Sequence, residues 1–148
     1  MADSIYDDVI MDHIKNARNY REPPDADRRA QGVNPLCGDT LTVYLRFESG
    51  RLRDAAFQCT CCGVSMASAS VMVQLMRDRT LEEAGALVEE FLRFVRRPDE
   101  AEGAQLETDR LAILSVVRAS PSRANCAALA WHTLNAALKG DDSTIVGG

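Results

Sequence analysis

The sequence has no apolar run that approaches the roughly 20 residues required for a membrane-spanning helix. Its first residues show neither the basic start nor the apolar stretch of a secretory signal. It also has no Gly-rich loop of the kind that cradles phosphates, and a formal charge of -5 argues against binding to a phosphate backbone. We therefore expect a cytoplasmic protein with no membrane span, no nucleic-acid partner and no nucleotide chemistry.

The cysteines do not form the even, well-spaced set that staples a small secreted domain. The chain has five of them, and Cys59, Cys61 and Cys62 lie almost side by side. Because disulfide frameworks use even numbers of separated cysteines, reduced thiols or metal ligands are the better interpretation.

Strand patterns are confined to the first half of the chain. Residues 40–47 alternate apolar and polar side chains, residues 49–50 offer a turn, and residues 51–59 return as the second strand of a hairpin. A short strand near residues 28–33 follows a proline-containing connector.

Helical patterns occupy most of the remaining chain. Thr80 and Glu83 form a capping-box signature at the start of one of these helices. The predicted helices cover residues 3–18, 64–78, 80–97, 109–118 and a last segment from Ser120 to the residue before Gly140, with a frayed tail from Asp141. Because the periodicity changes from strand to helix only once, we predict a single α+β domain over residues 1–148, with a small antiparallel sheet of about three strands packed against about five helices.

Cys37 is the best candidate nucleophile. It lies in the segment Asn34-Pro35-Leu36-Cys37-Gly38-Asp39, whose turn-forming residues can expose a thiol. A free cysteine is more often a small buried hydrophobe, but a core cysteine would have apolar neighbours at strand or helix spacing. Asp39 can face the same way from the start of a strand and add a hard oxygen donor, although a turn-capping role is an alternative.

Two further cysteines lie at predicted helix starts. Cys62 precedes a helix whose first backbone amides favour a thiolate. Cys126 follows Arg123 by three residues, so this cation is a possible stabiliser of a sulfur anion on the same helix face; taken alone, the apolar run after Cys126 would more often mark a core residue. Together, Cys37, Asp39, Cys62 and Cys126 form a candidate site for a thiophilic metal, and the thiols can also carry sulfur as a persulfide.

Cys59 and Cys61 receive no assigned role. They could supply extra ligands, carry sulfur, form a disulfide or fill small spaces. His13 and His132 are left out of the site, because isolated histidines are more often hydrogen-bonded structural groups than ligands.

Three ordered motifs resemble one known family. The segment at residues 34–39 has the form Asn-Pro-x-Cys-Gly-Asp, residues 62–70 have the form Cys-x-Val-Ser-x-Ala-Ser-Ala-Ser, and residues 123–131 have the form Arg-x-x-Cys-Ala-x-Leu-x-Trp. These motifs are similar to those of the U-type iron-sulfur assembly proteins, which include IscU, SufU and the NifU amino-terminal domain. The similarity covers nearly the whole chain and implies a SufE/NifU-like fold.

The resemblance also implies a metal site and a partner. It implies Zn2+ held by Cys37, Asp39, Cys62 and Cys126, with a [2Fe-2S] cluster or iron as the alternative. It further implies that Cys37 takes persulfide sulfur from a pyridoxal-phosphate cysteine desulfurase of the SufS type and passes it to a downstream assembly scaffold or to apo-proteins. The SufU branch is favoured because 64 positions from Cys62 to Cys126 accommodate an extra helical segment, and because Asn125 stands where IscU-type scaffolds place a histidine.

Three functions remain open from the sequence. The first is a zinc-dependent sulfurtransferase, in which the metal keeps Cys37 ionised until ligand exchange frees it to accept sulfur. The second is a non-enzymatic scaffold that assembles a cluster on the same residues, because thiolates suit iron and zinc alike. The third is a purely structural zinc domain.

Family members usually have glycine at the positions of Cys59 and Cys61, so these two thiols are additions in this chain.

Overall fold

The computed structural model describes residues 8–101 and 103–146, which form an α+β domain. The helices are α1 (Asp8–Lys15), α2 (Gly63–Met76), α3 (Leu81–Arg96), α4 (Thr108–Ala119) and α5 (Ala124–Lys139), and the strands are β1 (Arg28–Asn34), β2 (Asp39–Glu48), β3 (Arg51–Thr60) and β4 (Ser143–Ile145). Short 3-10 segments precede α4 and α5. Within the described ranges, no helix is long and apolar enough to cross a membrane. The predicted α+β class is confirmed.

The sheet is built on the predicted hairpin. Its strand order is β3-β2-β1-β4, and the β1–β2 and β2–β3 pairs are antiparallel. Ser49 and Gly50 join β2 to β3 with φ angles of 54° and 77°, the positive values that a two-residue hairpin turn of type I′ requires. The turn therefore returns β3 alongside β2, and the opposite end of this hairpin carries the first candidate site residues.

The fourth strand is a difference from the expected three-stranded antiparallel sheet and frayed tail. Gly140 ends α5 with φ at 86°, and the chain then turns so that β4 pairs in parallel with β1. The backbone amide of Val146 donates to the carbonyl of Val33 at 2.8 Å. A three-residue strand is too short to show an alternating pattern, so the sequence carried no periodic signal for it.

The first helix is shorter at its carboxyl end than the predicted span of residues 3–18. It ends at Lys15, and residues 3–7 of that prediction lie outside the described residues. Beyond the helix, the amide of Arg18 donates to the hydroxyl of Ser70 at 2.9 Å, and Asn19 adopts a φ of 49°. These tertiary contacts replace the helical hydrogen bonds that the apolar spacing alone would extend.

Two helices, α2 and α5, pack against each other over the sheet and place their amino termini near one another. Trp131 of α5 is fully buried, stacks on Phe91 with ring centroids 4.2 Å apart, and donates its indole N–H to Ser68 of α2 at 3.0 Å. Ser68 in turn donates to the carbonyl of Ala127 at 2.6 Å. This network holds α5 against α2.

His13 belongs to a separate structural network. It is 1% exposed, and its two ring nitrogens lie 2.6 Å from the hydroxyl of Ser70 and 2.7 Å from a carboxylate oxygen of Asp109. The ring thus links α1 to α2 and α4. The interpretation of His13 as a hydrogen-bonded structural group is confirmed.

Candidate metal centre

The turn between β1 and β2 presents Cys37 to solvent. Asn34 and Asp39 are paired at the end of the ladder, and the carbonyl of Asn34 accepts hydrogen bonds from the amides of Cys37 and Gly38 at 3.2 and 2.9 Å. The side chain of Asn34 is fully buried, and its Nδ2 lies 3.4 Å from the Cys37 Sγ. Gly38 adopts a φ of 75°, which glycine accepts without strain. The turn therefore leaves Cys37 exposed and directs Asp39 into β2.

Three of the four predicted ligands converge on one point. The ligand atoms of Cys37, Asp39 and Cys126 all lie within 4.8 Å of one another, and the two sulfur atoms are 4.0 Å apart. A tetrahedral zinc ion with Zn–S bonds of about 2.3 Å separates two sulfur ligands by about 3.8 Å. The geometry and the donor chemistry of these residues therefore fit a small thiophilic cation.

Cys62 lies at the edge of this cluster. It is the N-cap residue of α2, as its sequence position predicted, and it lies close enough to Cys126 to contribute to the raised pKa of that thiol. Its thiol also lies 3.5 Å from the hydroxyl of Ser65. Cys62 is thus adjacent to the three convergent donors without being one of them.

Burial, together with the neighbouring sulfur groups of Cys62 and Cys37, raises the pKa of the Cys126 thiol to about 12. Cys126 is only 3% exposed, so water does little to stabilise an anion there. Without a cation, this thiol stays protonated at neutral pH. A metal ion supplies the positive charge that a buried thiolate requires.

Ser65 is a site residue that the sequence interpretation missed. Its hydroxyl is fully buried and lies 3.0 Å from both a carboxylate oxygen of Asp39 and the carbonyl of Cys126. One hydroxyl proton serves one of these acceptors at a time, and an ionised carboxylate is the stronger acceptor. The available signal was its place in the motif three residues after Cys62.

Arg123 remains a predicted anion stabiliser. It is the residue before α5, and its backbone amide donates to Ser120 at 2.8 Å. Across the described part of the chain, its guanidinium has no hydrogen-bond or ion-pair partner, and the residue is half-buried. Asn125, beside it, is exposed.

The sequence left several roles open for Cys59 and Cys61, namely extra ligands, sulfur carriers, a disulfide or small space-filling residues. In the structure these two cysteines form a disulfide.

The fold and the candidate site together define a class of protein. It is a small α+β domain with a candidate metal-thiolate site, in which thiols and one carboxylate gather where a hairpin and two helix starts meet. The chain belongs to the family described as the NifU-like N terminal domain, whose model matches residues 5–142. This finding confirms the resemblance to the U-type iron-sulfur assembly proteins.

Individual relatives come from both branches of this family. The chain is 33% identical over 135 residues to the iron-sulfur cluster assembly scaffold protein IscU of Thermotoga maritima, covering 91% of this chain and 93% of that protein. It is 32% identical over 132 residues to the zinc-dependent sulfurtransferase SufU of Bacillus subtilis, covering 89% and 88%. Because the two identities are so close, similarity alone does not separate the branches.

The fold is also shared with a solved structure of the SufU type. The crystal structure of SufU from Fervidobacterium islandicum AW-1 superposes with a TM-score of 0.75 at 28% identity, covering 90% of this chain and 96% of that one. Fold, site chemistry and sequence thus agree on the IscU/SufU family of iron-sulfur cluster assembly proteins.

Proposed function

We propose that the protein is a zinc-dependent sulfurtransferase that accepts persulfide sulfur on Cys37 for iron-sulfur cluster assembly. The observation that carries this proposal is the unequal exposure of the free cysteines in the described chain. Cys37 is exposed, Cys62 is half-buried and Cys126 is buried. A sulfur donor on a partner protein must reach the accepting sulfur atom, and Cys37 is the one that solvent reaches freely.

Zinc would be held by the three convergent donors Cys37, Asp39 and Cys126, with Cys62, at the edge of this cluster, as the fourth ligand. When bound, it would supply the positive charge that keeps the thiols ionised at neutral pH. Asp39 contributes the only oxygen donor, and Ser65 orients it through the 3.0 Å hydrogen bond. The same donor set suits iron, and the zinc assignment is supported by the SufU relative, which is a zinc-dependent sulfurtransferase.

The transfer step begins with the thiolate of Cys37 and a persulfide on the partner. Cys37 attacks the terminal sulfur of the partner's Cys–S–SH, a new S–S bond forms on Cys37, and the partner's cysteine leaves as a thiolate. We propose a pyridoxal-phosphate cysteine desulfurase of the SufS type as this partner. Leu36, which is 76% exposed beside Cys37, offers an apolar contact for it, and Arg123 would stabilise the anionic sulfur.

The sulfur then passes to a downstream assembly scaffold or directly to apo-proteins. We place this activity in the cytoplasm, because a site made of free thiols requires a reducing compartment.

Desulfurase turnover measured with wild-type protein and with Cys37→Ser tests the proposal. We expect wild-type protein to stimulate turnover and to gain the mass of one sulfur atom on the Cys37 peptide. We expect Cys37→Ser to do neither. Cys126→Ser removes a proposed zinc ligand and leaves the accepting thiol in place, so the Cys37 peptide should still gain sulfur, but more slowly than in wild type because zinc no longer keeps the thiol ionised. Equal stimulation by wild type and Cys37→Ser would contradict the proposed role.

A scaffold that assembles a cluster on the same residues is the second candidate. It is favoured by the similarity to the Thermotoga maritima scaffold protein. Anaerobic reconstitution with iron and sulfide separates the two functions. A stable visible chromophore that transfers to an apo-protein supports the scaffold, whereas retained zinc together with desulfurase stimulation supports the sulfur acceptor.

A further inference from the structure

Cys59 and Cys61 are joined by a disulfide that directly precedes Cys62 in the chain. Their Cα atoms are 5.5 Å apart, and both side chains are half-buried. Cys59 lies at the end of β3, and the residue after Cys61 is Cys62, which caps α2. The chain therefore has a second sulfur pair that begins one residue from a metal-site cysteine.

The register of the sheet places this pair on the face that carries the site. Cys59 lies opposite Leu41 in the antiparallel ladder, and directly paired residues project from the same face. Asp39 shares that face with Leu41, and both side chains are buried there. Because Cys61 is joined to Cys59, its sulfur lies on this face as well.

The cysteines of the site lead along the chain to this pair. The Sγ atoms of Cys37 and Cys126 are 4.0 Å apart, and Cys62 lies close enough to Cys126 to contribute to the raised pKa of that thiol. Cys62 is the chain neighbour of Cys61. Sulfur transfer from Cys37 to the pair requires the exposed turn that carries Cys37 to move toward the end of β3.

The fold has little need of this disulfide. The backbone of Cys59 is already fixed by the ladder with β2 and by Tyr20, whose hydroxyl donates to the Cys59 carbonyl at 2.9 Å and accepts from its amide at 3.2 Å. A link between residues two positions apart closes a very short loop, and such a loop removes little entropy from the unfolded chain. The pair is therefore better suited to reversible chemistry than to holding the structure.

Release of sulfide from a persulfide requires a two-electron reductant, and a dithiol at Cys59 and Cys61 can serve as one. The outer sulfur of a persulfide must gain two electrons to leave as sulfide, and a dithiol that closes to a disulfide gives up two electrons. The other three cysteines are all committed to the proposed metal centre. We infer that Cys59 and Cys61, in their reduced form, act as a built-in dithiol that reduces the sulfur carried on Cys37 to sulfide.

The inference rests on the proposed function, and its two steps balance. The thiolate of Cys61 attacks the outer sulfur of the Cys37 persulfide, so the S–S bond on Cys37 breaks, Cys37 leaves as a thiolate, and a persulfide forms on Cys61. The thiolate of Cys59 then attacks the inner sulfur of that persulfide, which forms the Cys59–Cys61 disulfide and expels hydrosulfide. A thiol reductant, such as a dithiol protein, returns the disulfide to the dithiol for the next cycle.

Single-turnover sulfide release tests the inference. Fully reduced protein, freed of reductant, is treated with an equimolar amount of an alkanethiosulfonate anion, which transfers one sulfur atom to a thiolate and leaves as a sulfinate, so that loading itself releases no sulfide. Released sulfide, free thiols and the Cys37 peptide mass are then measured together. We expect wild type to release about one sulfide per chain, to form the Cys59–Cys61 disulfide and then to stop until a thiol is added. The double variant Cys59→Ser/Cys61→Ser should retain sulfur on Cys37 and release at most about a tenth of that sulfide.

Two controls keep the result interpretable. Thr60→Ser changes the residue between the two cysteines and should behave as wild type. Wild-type protein with the disulfide already formed needs no substitution and should load Cys37 without releasing sulfide, even if the double variant folds poorly. Equal sulfide release from the reduced and the disulfide forms would overturn the inference while leaving a loaded Cys37 as support for the proposed function. A Cys37 that acquires no sulfur in any of these proteins would overturn both.

Discussion

Replacing Ser65 with alanine should weaken metal binding without removing any proposed ligand. The Ser65 hydroxyl is fully buried and lies 3.0 Å from an oxygen of Asp39, which is itself only 7% exposed. With alanine at position 65, the Asp39 carboxylate loses the hydrogen bond from Ser65 that fixes its orientation. The carboxylate then points less often toward the two sulfur atoms with which it shares the site.

The expected size follows from two independent considerations. A buried hydrogen bond to a charged group contributes about 1.5–3 kcal/mol. Loss of a residue that orients a metal ligand typically lowers metal affinity by about 10- to 100-fold, and each tenfold change corresponds to about 1.4 kcal/mol. We therefore expect zinc affinity, measured by competition with a chromophoric chelator, to fall by about one to two orders of magnitude.

Ser68→Ala provides the matched control for this variant. Ser68 is also fully buried and lies one turn along α2 from Ser65, but its hydroxyl accepts from Trp131 and donates to the carbonyl of Ala127. Its loss should lower the free energy of unfolding of the metal-free protein and leave zinc affinity unchanged. The reasoning is refuted if Ser65→Ala binds zinc as tightly as wild type, or if Ser68→Ala weakens binding equally.

Two further predictions concern stability, and urea denaturation measures both. Gly32→Ala should lower the free energy of unfolding by about 1–3 kcal/mol, because a Cβ there collides with Thr133 of α5. Gly85 of α3 has open space around it, so Gly85→Ala should raise the free energy of unfolding by up to about 1 kcal/mol. Equal effects of the two substitutions would contradict this packing argument. Burial raises the pKa of Asp109, but the hydrogen bonds from His13 and Gln74 and the charges of His13 and Arg18 together outweigh it and hold that pKa below the ordinary 3.8. The stabilisation is present above pH 3.8 and is lost as pH falls through the folded-state pKa. Asp109→Asn should therefore be less stable than wild type at pH 7, with a gap that narrows below about pH 4; a gap that stays constant would refute the linkage.

The fold was predictable wherever a local pattern repeats. The alternation over residues 40–47 marked β2, and the capping box at Thr80 marked the start of α3, where both reciprocal hydrogen bonds are present. The end of α1 and the existence of β4 were not predictable in this way. Both depend on contacts with distant segments, such as the hydrogen bond from Arg18 to Ser70, which leave no local periodic signal.

The residues of the candidate site also fall into those that the sequence could identify and those that depend on tertiary packing. Cys37, Asp39 and Cys126 could be named from residue type and setting, and the structure brings their ligand atoms together. The structural contribution of Ser65 could not be named, because a serine in an apolar helix is usually a small core residue, and only tertiary packing shows which acceptor its hydroxyl meets. The position of Cys62 beside the convergent three is likewise a result of packing between α2 and α5.

The face on which Cys59 and Cys61 project depends on a detail at the far end of the same hairpin. Near the turn, Phe47 pairs with Leu52, but the next pair is Arg46 with Asp54, so Arg53 is an extra residue in β3. Such a bulge shifts the register of every pair beyond it by one position. Without it, Cys59 would lie opposite Thr40 instead of Leu41, and because side chains alternate along a strand, it would project away from Asp39. The hairpin could be predicted from the alternating pattern and the turn, whereas the bulge could not. Arg53, the residue without a partner in the β2–β3 ladder, therefore determines that Cys59 and Cys61 lie on the same side of the sheet as the candidate metal centre.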